Sequence, residues 1–282
     1  MISRRAFLRL FGGAFAAGAG LLSYSFAEAR FRLAITTYRF RPPHWPKLAT
    51  PVRIAALADL HAVEPWMPLP RIEEIVRATN ALKPDLVVHL GDYVHGIPRP
   101  FRFGAVPMAA WGAALGRIEA PLGAYAVLGN HDWSHNPIGV RDALSANGIT
   151  VLENEARKIK AAAGFEFWVA GLGDQVARRH DLPQTLRALP GEDPAILLAH
   201  EPDIFPQVPE RVSLTLCGHT HGGQVRLPLI GAPVVPSRYG QRYVYGHIVE
   251  NGRHLVVSAG LGCTFLPFRL GAVPEIVLLE LG

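Results

Sequence analysis

The sequence predicts a layered α/β domain in which two stacked β-sheets are flanked by helices. Three observations support this prediction. Short apolar runs alternate with helical patterns from Pro51 onward, helical patterns dominate early and strand patterns late, and no repeat or low-complexity linker divides the chain. Hydrophobic residues make up 49% of the 282 residues, which is enough for a large buried core.

The predicted elements begin with a βαβ unit. Residues 52–60 form an apolar run typical of a buried strand, apolar residues recur at helical spacing over 72–82, and Pro84-Asp85 returns the chain to a strand at 86–90. The proline-containing stretch 30–50 is predicted to be an extended lead-in to the domain at 51–282. Further helices are expected around 108–118 and 138–146, and further strands at 125–128, 149–152, 165–170, 195–199, 213–216, 255–258 and 276–279.

The N-terminus has the pattern of an export signal. Arg4 and Arg5 precede a Gly- and Ala-rich apolar stretch that ends in the small-x-small pattern Ala27-Glu28-Ala29. This stretch resembles a twin-arginine signal peptide, which implies export by the twin-arginine machinery to the periplasm or cell envelope. Residues 1–29 are therefore predicted to be a leader that is cleaved after Ala29. The alternative is an uncleaved membrane anchor, although a stretch rich in Gly and Ala has only a modest insertion energy.

Charge and cysteine content exclude several classes of protein. The formal net charge is +5, and it falls to +3 without the leader, which holds three arginines and one glutamate. That excess is small and is not concentrated in a run, so no nucleic-acid partner is expected, although a peripheral membrane contact remains open. Cys217 and Cys263 are too few for a disulfide scaffold or a cysteine metal knuckle, and their pairing is left open.

Five segments place metal-ligand residue types directly after an apolar run. Because α/β folds gather their sites at the carboxyl ends of strands, these five strand exits are expected to converge on one pocket. Residues i and i+2 of extended backbone project to the same side, and glycine precedes the ligand-type residues of three segments, where a side chain could obstruct a tight turn. The segments are Asp59-Leu60-His61, Gly91-Asp92, Gly129-Asn130-His131-Asp132, Ala199-His200 and Gly218-His219-Thr220-His221.

The remaining histidines have simpler interpretations. His89 lies inside a predicted strand and is expected to be a core residue with its hydrogen bonds satisfied. Six more are expected on the surface or in loops: His44, His95, His135, His180, His247 and His254.

The ordered motifs resemble the calcineurin-like metallophosphoesterase family over residues 52–279. The resemblance implies an αββα sandwich, two metal ions, and a phosphate-ester substrate. By the family's motif, one metal would be held by Asp59, His61, Asp92 and His221, and the other by Asp92, Asn130, His200 and His219. It also implies that His131 contacts the phosphate and protonates the leaving group, while Asp132 is a candidate to orient His131.

Mixed imidazole and oxygen donors favour Mn, Zn or Fe as the two divalent metal ions per chain. Four positive charges would face only two formal negative charges, from Asp59 and Asp92, so the cluster would attract an anionic phosphate. Metals roughly 3.5–4 Å apart lower the pKa of a bound water, so hydroxide is the expected nucleophile.

Two further stretches bear on the substrate. Residues 219–228 and 266–276 resemble a bacterial subgroup of exported phosphoesterases similar to enzymes that cleave the pyrophosphate of UDP-diacylglucosamine. This resemblance implies a phosphodiester or pyrophosphate of a lipid-linked or cell-envelope substrate. The alternatives are a phosphomonoester, a nucleotide, or a metal-bound scaffold without catalysis. Apolar 66–70 is a candidate lipid contact, and the candidate phosphate contacts are Arg238, Arg242 and Arg269.

Overall fold

Two six-stranded β-sheets pack face to face in the computed structural model, which describes residues 3–97, 99–101, 103–161 and 164–282. The strands are β1 (Ala34–Phe40), β2 (Val52–Leu57), β3 (Val63–Glu64), β4 (Leu86–Leu90), β5 (Gly104–Ala105), β6 (Ala124–Val127), β7 (Ile149–Val151), β8 (Glu155–Lys160), β9 (Glu166–Gly171), β10 (Ala195–Leu198), β11 (Leu214–Cys217), β12 (Gly246–Glu250), β13 (Arg253–Val257) and β14 (Glu275–Leu281). The helices are α1 (Arg4–Phe31), α2 (Leu69–Ala81), α3 (Met108–Leu115), α4 (Asn130–His135), α5 (Pro137–Ser145) and α6 (Leu182–Arg187).

The first sheet has the order β1-β14-β2-β4-β6-β7. Strands β2, β4, β6 and β7 are parallel neighbours, whereas β14 runs antiparallel to β2 and parallel to β1. Its outer face is covered by α2, α3 and α5, which bury Ile75, Trp111 and Leu144 against it. This arrangement follows from the βαβ pattern, because a crossover helix must pack back onto the sheet that it connects.

The second sheet has the order β12-β13-β11-β10-β9-β8, with parallel pairing in its centre and antiparallel strands at both edges. Its outer face packs against α6 and against short helical turns that contribute Ile204, Phe205 and Tyr243. The predicted architecture of two sheets flanked by helices is therefore confirmed.

Strand β2 is apolar at every position except Arg53. Ile54 and Ala56 face the second sheet, whereas Ala55 and Leu57 face the helices, because side chains alternate along a strand. Both faces of the sheet are covered beyond Arg53, so residues 54–57 have no polar side. The strand predicted over 52–60 ends at Leu57, because the backbone turns at Asp59, where φ is 53°.

The stretch 30–50 contains the edge strand β1, which pairs with β14 along its whole length. Trp45, in the same stretch, is 4% exposed and packs in the core between the two sheets. The strand β1 itself and the antiparallel edge strands β8 and β12 were not among the predicted strands.

Helix α1 is 28 residues long and has the length and composition to cross a membrane. Its residues up to Tyr24 are almost entirely exposed, whereas Ser25, Glu28 and Ala29 are buried against the domain. The N-terminal apolar helix thus has the properties of a signal sequence or of a transmembrane anchor.

Candidate metal centre

The carboxyl ends of five strands meet at one edge of the sandwich. The exits of β2, β4, β6, β10 and β11 carry the polar segments that the sequence singled out. The structure brings six of the predicted ligands into two groups of three, within each of which the donor atoms lie less than 4.8 Å apart. The groups are Asp59, His61 and His221, and Asp92, His200 and His219.

In the first group, Nε2 of His61 lies 3.2 Å from Nε2 of His221, which is 3.7 Å from Oδ1 of Asp59. In the second, Nε2 of His200 lies 3.2 Å from Nδ1 of His219. Two nitrogens bound to one ion at about 2.0–2.1 Å in tetrahedral geometry are roughly 3.3 Å apart. The paired nitrogens therefore have the separation that a shared cation requires.

Asp92 lies between the two groups. Its Oδ2 is 3.2 Å from Nε2 of His200 and 3.6 Å from Nε2 of His61. A carboxylate in this position can contact a cation on each side, as expected for a bridging ligand.

Asn130 begins α4 and lines the same cavity as Asp92 and His219. Its Oδ1 is buried and has no hydrogen-bond partner among the described residues. A buried amide oxygen without a partner is costly, and a metal ion would satisfy it. Mixed oxygen and imidazole donors thus fit a dinuclear centre, and the chemistry of the donors suits Mn, Zn or Fe.

The turns that carry the donors have unusual backbone geometry. Five of the predicted ligands have φ between 45° and 69°, a left-handed region that non-glycine residues rarely adopt: Asp59, His61, Asp92, His219 and His221. Such strain concentrates at functional sites, where the surrounding fold imposes it.

The glycines beside the ligands leave room for them. A Cβ at Gly129 would overlap Oδ1 of Asp92, and one at Gly218 would lie 2.7 Å from Oδ2 of Asp59. A Cβ at Gly91 would lie 2.8 Å from Nδ1 of His200. The prediction that side chains at these positions would obstruct the site is confirmed.

Hydrogen bonds to groups outside the two donor groups orient the histidines. Nδ1 of His61 donates to the carbonyl of Val94 at 2.9 Å, and Nδ1 of His200 donates to the carbonyl of Leu90 at 2.7 Å, which directs each Nε2 toward the centre. His221 is contacted through Nδ1 by the buried guanidinium of Arg269, at 3.2 Å.

Burial governs the charge of the donors. It lowers the pKa of His61 to about 3 and holds the pKa of His221 well below its usual value, so both imidazoles are neutral near pH 7. Burial raises the pKa of Asp59 to about 7. Burial alone would also raise the pKa of Asp92, but the adjacent charge of His200 brings it well below its ordinary value.

His131 stands beside the donors without joining either group. Its ring centroid is 5.1 Å from that of His61, its side chain lines the cavity, and its backbone N–H donates to Oδ1 of Asp92 at 2.9 Å. The suggestion that Asp132 orients this imidazole is wrong. The Asp132 carboxylate instead accepts four backbone N–H bonds, which join the loop after β4 to Gly129.

The model of the calcineurin-like phosphoesterase family matches residues 52–223, which include all the donors of both groups. The chain belongs to the calcineurin-like phosphoesterase family. It is therefore a metal-dependent hydrolase of phosphate esters, and the resemblance in the ordered motifs is confirmed at the level of the family.

Relatives of this phosphoesterase match it over its whole length. It is 32% identical to the metallophosphoesterase YkuE of Bacillus subtilis, over 99% of this chain and 98% of that protein. It is 34% identical to the phosphodiesterase YaeI of Escherichia coli, over the full length of both. A solved structure, the 5'-nucleotidase precursor from Thermus thermophilus, aligns with a TM-score of 0.46 and 12% identity over 75% of this chain and 49% of that chain.

A cavity of about 760 Å³ opens over the donors of this phosphoesterase. Its floor includes Asp92, Asn130, His131, His219 and His221. Most of its wall is apolar and is formed by Val176, Pro233, Val234, Pro236, Phe265, Leu266 and Phe268. Within the described part of the chain, no arginine or lysine lines it. Sequence patterns could not identify this wall, because its residues come from irregular loops without periodicity.

None of the three candidate phosphate arginines is among the described residues that line the cavity. Arg238 pairs with Asp203, Arg242 pairs with Glu250, and Arg269 is fully buried, donating to the carbonyls of Gly262 and Ala272.

The two cysteines, His89 and most of the segment 66–70 lie within the packed part of the domain. Cys217 and Cys263 are both buried free thiols. His89 is buried in β4 as predicted, but its Nε2 has no hydrogen-bond partner among the described residues. In the segment 66–70, Met67 is 2% exposed, Trp66 stacks on Phe26, and the last two residues begin α2, so the segment is packed on the domain.

Proposed function

We propose that this phosphoesterase hydrolyses a phosphodiester or pyrophosphate whose apolar part occupies the cavity, as in a lipid-linked or cell-envelope substrate. The observation that carries the proposal is the cavity itself, which joins the donor groups to an apolar wall within one volume of about 760 Å³. A site of this size can hold a phosphate together with part of an acyl chain.

Seven side chains are proposed to hold the two divalent cations. They are Asp59, His61, Asp92, Asn130, His200, His219 and His221. When bound, the cations would supply an activated water nucleophile and positive charge facing the phosphate. His131 is proposed to donate a proton to the leaving oxygen, a contribution of about 10²–10⁴-fold that is greatest for poor leaving groups such as alkoxides.

The character of the wall favours a diester over a monoester. A phosphomonoester or a nucleotide presents more charge and polar surface, and the described cavity residues offer no Arg or Lys for it. A diester presents one negative charge and two organic groups, one of which can pack on Val234 and Phe265. The similarity to UDP-diacylglucosamine hydrolases suggested by residues 219–228 is part of this proposal.

Export by the twin-arginine machinery is proposed from Arg4 and Arg5 ahead of the apolar helix. The donors come from segments spread between Asp59 and His221, so the site exists only in the folded chain. Since the twin-arginine route carries folded cargo, metal is proposed to bind in the cytoplasm and to remain bound after export.

The test combines metal analysis with matched substrates. The purified protein, reconstituted separately with Mn, Fe or Zn, is assayed on an acylated glycerophosphodiester, its deacylated form, a UDP-linked acylated sugar and a phosphomonoester. We expect two metals per chain and higher kcat/KM for the acylated diester than for its deacylated form. Faster cleavage of the monoester would contradict the proposal, and a metal-loaded protein inactive on all of them would favour the non-catalytic scaffold.

A matched pair of variants tests the apolar wall directly. Val234 lines the cavity and is 78% exposed, whereas Val249, on β12, is 53% exposed and lies outside the cavity lining. Val234→Asp should lower kcat/KM for the acylated substrate and leave the deacylated one unchanged. Val249→Asp should change neither. Equal effects of both variants would show that this wall does not contact the substrate.

A further inference from the structure

Helix α1 consists of two parts with different surroundings. Residues 10–24, ahead of the packed end, contain no charged side chain and at 1.5 Å per residue extend over about 22 Å. A bilayer with a ~30 Å hydrocarbon core accommodates this shorter span by local thinning and by the long side chain of Arg9 reaching the headgroups. Phe11 and Phe15, in this stretch, are largely exposed, at 64% and 73%. The last turns, in contrast, pack on the domain.

The packed end is joined to the loop before β14 by specific hydrogen bonds. The carbonyl of Ser25 accepts from the N–H of Arg269 at 3.0 Å. The side chain of Glu28 is 2% exposed, and its Oε1 accepts from the N–H of Gly271 at 2.8 Å. Loss of the helix would leave both backbone donors without these partners.

Apolar contacts extend the same interface. Ala29 is 8% exposed and packs with Val63, Ile97 and Cys263. Phe26 stacks on Trp66 with ring centroids 5.5 Å apart, and it meets the edge of Phe268 at 6.2 Å. The end of α1 is thus part of the hydrophobic packing of the domain.

We infer that α1 is retained as an uncleaved membrane anchor whose last turns are folded into the catalytic domain, and that its partner is the lipid bilayer. The small-x-small segment Ala27-Glu28-Ala29 is helical, and two of its three residues are buried. Proteolysis requires exposed, mobile backbone. A chain that folds before export therefore presents this segment to a peptidase in a protected form. The alternative of an uncleaved anchor is favoured over cleavage after Ala29.

The position of the anchor also determines where the cavity lies relative to the membrane. Phe268, which touches Phe26, lines the cavity wall, and its neighbour Arg269 contacts the proposed ligand His221. A bilayer that surrounds the apolar part of α1 would therefore lie beside the cavity. Arg4, Arg5 and Arg9 precede the apolar stretch, which orients the N-terminus toward the cytoplasm and the domain toward the outside.

The test is the N-terminus of the mature protein. The full chain is produced in a bacterium with a twin-arginine system, membranes are washed with carbonate, and the intact mass is measured. We expect a carbonate-resistant membrane protein that retains residues 10–29. A soluble protein that begins at Arg30 would overturn the inference, whatever the result of the substrate assays.

A fusion protein tests whether packing on the domain protects the segment Ala27-Glu28-Ala29 from the peptidase. Residues 1–31 are placed ahead of an unrelated passenger, where α1 has no domain to pack on. Cleavage of the fusion with retention in the native chain assigns the protection to packing. Retention in both supports the anchor and shows that the segment itself is not a substrate for the peptidase.

Hydrogen exchange tests the packing itself. In the full chain in detergent, Glu28→Ala should speed exchange of the Gly271 amide about tenfold, the equivalent of one lost hydrogen bond. The control Glu210→Ala replaces an exposed glutamate elsewhere and should leave that amide unchanged. An unchanged rate in Glu28→Ala would show that the helix does not pack as described.

Discussion

The carboxylate of Asp132 joins the two loops that carry Asp92 and Asn130, and its removal should destabilise the fold and the site together. Oδ2 accepts the N–H of Asp92 and of Gly129, both at 2.9 Å. Oδ1 accepts the N–H of Tyr93 at 2.9 Å and of Val94 at 3.2 Å. The side chain is completely buried, so water does not share these bonds.

The expected loss in the free energy of unfolding follows from the number of N–H donors that lose their acceptor. A buried donor left without a partner costs at least about 1 kcal/mol, so Asp132→Ala, which removes the acceptor of all four, should lower the free energy of unfolding by about 4 kcal/mol. Asp132→Asn keeps one oxygen acceptor and turns an amide N–H₂ toward the other two donors, so about 2 kcal/mol should be lost. Total stabilities of about 5–15 kcal/mol make either loss readily measurable.

Urea denaturation followed by tryptophan fluorescence, on protein treated with a chelator, separates this effect from metal binding. Asp142→Ala, which removes an exposed aspartate from α5, is the matched control and should lose less than about 0.5 kcal/mol. A loss below about 1 kcal/mol for Asp132→Ala would refute the reasoning, because it would mean that the four N–H groups find other partners.

Three further outcomes are expected. His131→Ala should reduce turnover by about 10²–10⁴-fold while elemental analysis still finds both metals; loss of metal would reassign it as a ligand. Gly129→Ala should abolish metal binding at Asp92, the proposed bridging ligand, because its Cβ would overlap Oδ1, whereas Gly104→Ala, with nothing within 4 Å, should bind normally. Since burial raises the pKa of Asp59 to about 7, protons compete with the cation below that pH. Calorimetric metal affinity should therefore rise up to tenfold per unit between about pH 5.5 and about pH 7, and a flat profile would contradict this.

The elements that sequence patterns predicted well are those with strong apolar signals. Strand β4 was predicted with its exact bounds, because it is buried on both faces and is therefore apolar at every position except His89. Strand β8 was missed because it lies at a sheet edge, where only Ile159 of its six residues is buried. Strand β1 was missed for the same reason, because it lies at an edge of the first sheet, where none of its seven residues is buried.

The candidate site likewise contains residues that the sequence identified and residues whose roles it did not reveal. Each ligand was visible because a polar residue of metal-binding type directly follows an apolar strand, and the resemblance in motif order supplied the grouping. The roles of the supporting residues were not visible. Asp132 was placed wrongly because an aspartate beside a histidine does not reveal that four backbone N–H groups from another loop converge on it.

The sequence by itself determined the layered α/β class, the family, and the identity of the residues that meet at the strand exits. All of these depend on residue type and local order, which the chain carries without folding. Only the tertiary structure decided that the cavity wall is apolar, that the three arginines pair elsewhere, and that the last turns of α1 pack on the loop before β14. These features are contacts between segments far apart in the chain, and they are set by how the two sheets pack.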